Sequence, residues 1–324
     1  MPIRERNSNI ELLRILIMFM ILLLHANVMS FGMPTDYSVK SFLRSFAEAF
    51  TLTPVNIFVL ITGYFGTRFT IEKIGSLLYQ VIFCLVPLSL LFRWRTGSSL
   101  SLADINIFNY WFINAYIGLL VFVPVLNCAV VAFTKSQFKL FLIVYYLVIA
   151  LFGSFLQIEG IAVDRGYSVL WFVFLYLLGR YVSIYPPSFS CVKLLVVMLL
   201  ACLGKSMIIF LTHKGINYVD PFITIQSVCT LLLFARLDIK SRLVNQIAVS
   251  TTMVYLINLH PIFWKIYRIQ VNTIYDWSNG VMVFLPTLFL YCLAIFSFAI
   301  LYDKIRMLTW KPLSALLKKI DLTV

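Results

Sequence analysis

From Ile15 to Leu24 ten residues follow one another without a polar side chain, and comparable apolar runs recur down the whole chain. Such runs cannot coat a soluble domain. In hydrocarbon an uninterrupted run must satisfy its own backbone hydrogen bonds, which makes it a helix. Ten helices can be laid on the sequence, at 11–30, 46–65, 74–92, 110–132, 139–157, 168–184, 191–211, 221–237, 248–264 and 281–302. The sixth, eighth and ninth are the shortest, at about 17 residues, against the roughly 20 that a span needs. Hydrophobic residues make up 61% of the 324 and charged residues 12%, whereas a soluble domain is nearer half apolar and a quarter charged. The same figures exclude a disordered chain. The runs do not alternate as the strands of a membrane β-barrel do. The expected fold is an all-α, polytopic transmembrane helical bundle of about 10 spans. Because the connections are short, residues 1–324 are read as a single integral membrane domain with no separate soluble domain.

The chain has 26 Lys and Arg against 13 Asp and Glu, a net +13. In a soluble protein that excess points to nucleic acid. In a helical membrane protein it reads as charge in cytoplasmic loops, and no nucleic-acid partner is expected. Ten spans put both ends on one side. That side collects 17 Lys and Arg, among them Arg4, Lys318 and Lys319, and the other side 9. Both termini, Met1 and Val324, are therefore expected in the cytoplasm, with the basic tail after Tyr302 against anionic lipid. Arg4 and Arg6 before the first run, with Val28 and Ser30 after it, loosely match a cleavable signal. Glu11, Arg14 and His25 inside that segment favour a retained first span. The six cysteines lie within or at the ends of apolar runs, and none forms a Cys-x-x-Cys pair. They are read as small buried residues, with no disulfide framework and no metal.

The first span carries Glu11, Arg14 and His25, although a charge at a helix centre costs about 2.5–3.5 kcal/mol. Arg14 and His25 are eleven residues apart. At about 100° per residue that is roughly 20° past three full turns, so both lie on one stripe, about 16 Å apart along the axis. Glu11 stands one turn before Arg14 and can pair with it. Snorkelling would explain Arg14 alone, and a packing contact would explain His25 alone. Together on one stripe they point to chemistry. A neutral imidazole can take a proton from a hydroxyl, or act as a nucleophile. A buried guanidinium offers fixed charge to a phosphate or a developing oxyanion. On this topology Arg14 lies near the cytoplasm, and His25 lies nearer the outer face.

Other residues carry weaker signals. Arg68 and Lys73 follow the second helix and are explained by the positive-inside rule. Trp111 and Tyr116 lie near a membrane face, as an interfacial aromatic belt would or as a sugar-stacking platform would. Glu48, an intramembrane acid, is one turn from Arg44, and His213 sits in a polar connection. Gly-rich phosphate loops, GxSxG and HExxH are absent.

Arg14, ten residues and then His25 resembles the signature of acyltransferase family 3, the membrane-bound O-acyltransferases of bacterial surface polysaccharides. NIFVLITGYF at 56–65, WFINAYIGLLVFVPVLN at 111–127 and YSVLWFVFLYLLGRY at 167–181 resemble further segments of that family. The family often shows Tyr-Leu-Ile-His late in the chain. Here the run is Tyr255-Leu-Ile-Asn258, with His260 two residues on. The resemblance implies transfer of an acyl group, acetyl in the simplest case, from acyl-CoA as co-substrate to a hydroxyl of a surface or lipid-linked glycan. No bound cofactor is implied. It implies a multi-pass protein of the bacterial inner membrane, with His25 and Arg14 as catalytic residues. Glu11, Arg68, Trp111, Tyr116 and His260 are candidates for contact with substrate or acyl-CoA. A transporter or flippase for a glycan or lipid-linked precursor fits the same spans and the same buried charge, and it stands as the alternative.

Overall fold

In a computed structural model of the chain, residues 6–156 and 163–321 are described, the side chains of 318–321 excepted. Met1, Arg4 and Val324, and the side chains of Lys318 and Lys319, lie outside the described residues, as does position 157 at the end of the fifth expected helix. Among the described residues every regular element is helical and there is no strand. The helices are α1 (Ser8–Phe31), α2 (Val39–Thr51), α3 (Pro54–Phe65), α4 (Ile71–Thr96), α5 (Trp111–Ala132), α6 (Lys135–Leu147, continued by a π-helix Val148–Phe155), α7 (Val169–Ile184), α8 (Cys191–Thr212), α9 (Pro221–Ala235), α10 (Arg242–Ala248), α11 (Thr252–Asn258), α12 (Pro261–Trp277) and α13 (Val281–Asp321).

Among the described residues seven helices or helix pairs are long and apolar enough to cross a membrane, and the bent pair of Arg242–Asn258 with Pro261–Trp277 makes up to eight. α7 and α9 are apolar but shorter, at 16 and 15 residues. Each of the ten expected runs thus finds a helix. Large apolar side chains stand exposed along α5, α6, α8 and α13, Val121, Leu140, Leu200 and Leu290 among them. This is the surface that lipid covers and water would not.

Helix starts follow the local chemistry. Side chains of Ser38, Thr70, Thr134, Ser168, Ser190 and Ser241 accept from backbone N–H groups of the first turns that follow them. Pro54, Pro221 and Pro261 open α3, α9 and α12, at the position where a missing N–H costs nothing. Pro261 corrects the ninth expected helix. A continuous helix over 248–264 is not formed, because Pro261 has no N–H to give and holds His260 in extended backbone (φ −57°, ψ 131°). The chain instead breaks between Asn258 and Pro261, with an 83° bend. The second run, expected as 46–65, is likewise interrupted before Pro54 and starts earlier, at Val39. The last helix runs on to Asp321, well past 302.

Two compact units share the chain. The first comprises Met1–Ile17, Met33–Phe69 and Asn114–Lys240, and the second Met18–Gly32, Thr70–Ile113 and Ser241–Val324. In the first, α3 and α7 cross at two glycines. A Cβ at Gly63 would lie 2.1 Å from the Tyr176 carbonyl oxygen, and one at Gly179 would lie 2.4 Å from that of Leu60. Small residues let membrane helices approach this closely. Asn56 ties the same region together, accepting from Trp171 Nε1 at 3.0 Å and donating to the Tyr218 carbonyl at 2.9 Å. A buried Lys205–Asp220 ion pair at 2.9 Å joins α8 to the start of α9.

In the second unit α4 packs along α13. Tyr302 donates to the Phe83 carbonyl at 2.9 Å, and Ser314 donates to Glu72 at 2.8 Å. The connection after α4 is held by Asp104, which accepts from Arg93 at 2.8 and 3.0 Å and from Ser101. The hydrogen bonds from Arg93, more than any other contact, hold the Asp104 carboxyl well below the usual carboxylate range.

Candidate functional site

Asn7 opens α1, its side chain accepting from the Asn9 and Ile10 N–H groups at 3.1 and 3.4 Å. That cap places Glu11 in the first turn, where the helix dipole favours an acid. Glu11 is buried and lies 3.6 Å from Arg14 and 3.5 Å from Arg6. Two polar atoms of this group are buried and hydrogen-bond to nothing among the described residues: Glu11 Oε2 and Arg14 Nε. Within the same unit the Arg14 guanidinium is in electrostatic reach of the Tyr116 hydroxyl, which is 3.0 Å from Thr62 Oγ1 at the end of α3.

Beyond Thr62 the chain turns at Gly66, whose φ of +65° suits glycine. A Cβ there would meet Arg180 Nη1 at 2.8 Å. The turn is pinned from two sides. Asn127 donates to the Thr67 carbonyl at 2.9 Å, and the Tyr176 hydroxyl donates to Asn127 at 2.6 Å while accepting from the Thr67 N–H at 3.4 Å. Arg180 Nε is buried and without a hydrogen-bond partner among the described residues. Arg68, next to this turn, is exposed. The first unit therefore gathers Glu11, Arg14, Arg180, Tyr116 and Tyr176, with two guanidinium nitrogens unspent. Such nitrogens suit a phosphate or a carboxylate.

α1 runs unbroken past Arg14 to His25, so the helical spacing of the two holds. In the second unit the His25 ring is buried and edge-on to Trp264, with centroids 5.1 Å apart. Its Nδ1 hydrogen-bonds to Asn258 Oδ1 at the end of α11. Asn258 is itself buried, and its Nδ2 has no hydrogen-bond partner among the described residues. One turn back, Tyr255 lies against the rings of Tyr110 and Phe112 at 6.0 and 5.8 Å. Tyr110 donates to the Leu256 carbonyl at 2.9 Å and Tyr267 to the Leu22 carbonyl at 2.6 Å, tying α11 and α12 into place. Trp111, half-buried, starts α5 beside Phe112.

His260 occupies a different position. Its Nδ1 accepts from the Ile262 N–H at 3.3 Å, capping α12, and its Nε2 lies 3.2 Å from Ser89 Oγ and 3.4 Å from the Leu85 carbonyl. Both nitrogens are spent on the break between helices. Asn258, in the place where the family often carries its histidine, is the residue that meets His25. Among the described residues no group of three or more His, Cys, Asp or Glu side chains is placed to hold a metal ion.

Asn258 stands in the sequence where the family often carries histidine, with no role assigned to it, and Arg180, Asn127 and Tyr176 have no role legible there. Their signals were present in the family-like segments: Asn127 ends WFINAYIGLLVFVPVLN and Arg180 follows the glycine of YLLGRY.

Helices of this length, with apolar surfaces turned outward and charge kept within, define a polytopic membrane protein. The family model described as an acyltransferase domain matches residues 7–305, so the chain belongs to acyltransferase family 3 and is an acyltransferase. No curated protein and no solved structure matches it.

Proposed function

We propose that this acyltransferase moves an acyl group, acetyl in the simplest case, from acyl-CoA to a hydroxyl of a surface or lipid-linked glycan, as a multi-pass protein of the bacterial inner membrane with both termini in the cytoplasm. One observation carries the reading. The only imidazole on α1 is buried and anchored through Nδ1 to Asn258, in a chain whose family transfers acyl groups. A proton on Nδ1 leaves the Nε2 lone pair as the base.

In the direct mechanism the glycan oxygen attacks the thioester carbonyl carbon while Nε2 takes its proton. The C–S bond then breaks, and the imidazolium returns the proton to the leaving sulfur, giving the O-ester and CoA thiol. In the covalent version Nε2 attacks the thioester carbon and expels CoA thiolate. The glycan hydroxyl then attacks the acyl-imidazole, the C–N bond breaks, and the hydroxyl proton ends on the thiolate, giving the O-ester, CoA thiol and free imidazole. Arg14 and Arg180 supply donors suited to the phosphates of CoA, and exposed Arg68 follows the Gly66 turn. Trp111 and Tyr116 are the aromatic surfaces for a sugar. Family membership favours transfer over transport.

Membranes carrying the protein are expected to label a glycan from radioactive acetyl-CoA, and His25→Ala is expected to reduce that labelling about 10²–10⁴-fold while the protein still inserts. Near-normal turnover in the purified variant removes His25 from the mechanism. Glycan uptake without labelling supports a transporter.

A further inference from the structure

Among the described residues, the acidic groups that orient a histidine in many hydrolytic sites have no counterpart at His25. The side chain on its Nδ1 is a neutral amide, from the residue that ends α11 just before the 83° bend. An asparagine oxygen accepts hydrogen bonds and carries no charge. Placed against Nδ1, it selects the Nδ1–H tautomer and leaves the other nitrogen to accept. The ring plane is fixed from a second direction by Trp264. Asn258 is fixed in turn, because Tyr110 anchors the same short helix through the Leu256 carbonyl. We infer that Asn258 is a positioning residue for the transfer reaction, holding the His25 ring in one orientation and one tautomer with Nε2 toward the reacting groups. The inference rests on the base role given to His25 above.

The same unit carries titratable groups on the helices after the bend, among them Lys265, Tyr267, Arg268 and Tyr275 on α12 and Tyr291 and Cys292 on α13. Tyr267 bonds to the Leu22 carbonyl and lies 3.7 Å from Cys292 Sγ. Arg268 lies 5.9 Å from the Trp264 ring centroid. Among the described residues no carboxylate hydrogen-bonds to the ring, and the amide of Asn258 is the group placed to set the tautomer.

The chain has only three histidines, so the imidazole nitrogens of a ¹⁵N-histidine-labelled sample can be assigned with one variant per residue. At neutral pH the full-length protein in detergent is expected to show His25 protonated on Nδ1. Asn258→Ala is expected to lose that signature and to lower kcat about 10–100-fold, the usual effect of removing an orienting partner, with KM for acetyl-CoA within about twofold of wild type. Asn258→Asp keeps an acceptor oxygen and is expected to keep the Nδ1–H signature and to recover part of kcat. A wild-type spectrum with the proton on Nε2 overturns the inference, and it does so without any variant having to fold. Full kcat in Asn258→Ala also overturns it. Activity surviving in His25→Ala defeats the base role instead, and the wild-type tautomer is read independently of that result.

Discussion

Gly63→Ala tests the close crossing that shapes the first unit. The added Cβ would stand 2.1 Å from the Tyr176 carbonyl oxygen and 2.9 Å from its carbon. An ordinary contact is about 3.5 Å or more, so α3 and α7 must part locally by more than about 1 Å. The obstacle is backbone, so no rotamer change relieves it. A gap of that size forfeits a quarter to a half of each affected van der Waals contact, and overpacking of this kind costs about 1–3 kcal/mol. The upper end is expected here, with a fall in Tm of about 4 °C. The displacement also reaches the turn that Tyr176 and Asn127 pin at Thr67, and the Thr62–Tyr116 contact, so transfer falls with stability. Buried Cys202 and Cys229 in the same unit report unfolding of detergent-purified protein through a thiol-reactive dye. Gly75→Ala is the control, since its Cβ meets only side-chain atoms of Leu317 and Trp310, and it is expected to melt with wild type. If Gly63→Ala also melts with wild type and keeps full activity, the close approach of α3 and α7 is wrong.

Arg14→Lys is expected to fail in transfer, because a point charge does not reproduce the fork that faces Glu11 and leaves Nε for a ligand; wild-type turnover in this variant reduces the role of Arg14 to charge alone. Asp104→Asn is expected to melt below wild type at neutral pH. The carboxyl has a depressed folded pKa, so its stabilisation is present above the unfolded value of about 3.9 and is lost as pH falls through the folded one. The gap in Tm between wild type and variant should therefore be flat from about pH 8 to 5 and narrow in stronger acid, and a gap that narrows above pH 5 refutes the assignment. A reporter active only outside the membrane is expected to be silent when fused after Val324 and active near Lys40. Signal from the C-terminal fusion means an odd number of spans, and silence at Lys40 inverts α1.

The α-helical membrane class was legible in the sequence because apolar runs of span length have one local solution, and the helix starts because Ser, Thr and Pro act on their own first turn. Arg14 and His25 were legible for the same reason: their spacing lies within one helix, where 3.6 residues per turn decides the face. The partner of His25 was not. His260 and Asn258 are two residues apart, and composition favours the histidine as the chemical one. Only the break at Pro261 turns His260 into a cap that spends both nitrogens and leaves Asn258 against the His25 ring. Arg180 was hidden in the same way. In sequence it is one more cytoplasmic cation, and only the Gly63–Gly179 crossing brings α7 close enough to the Gly66 turn to bury its Nε. Periodicity is a property of one helix and can be read along the chain, whereas a contact between residues 233 positions apart depends on how separate helices pack, which no local pattern encodes.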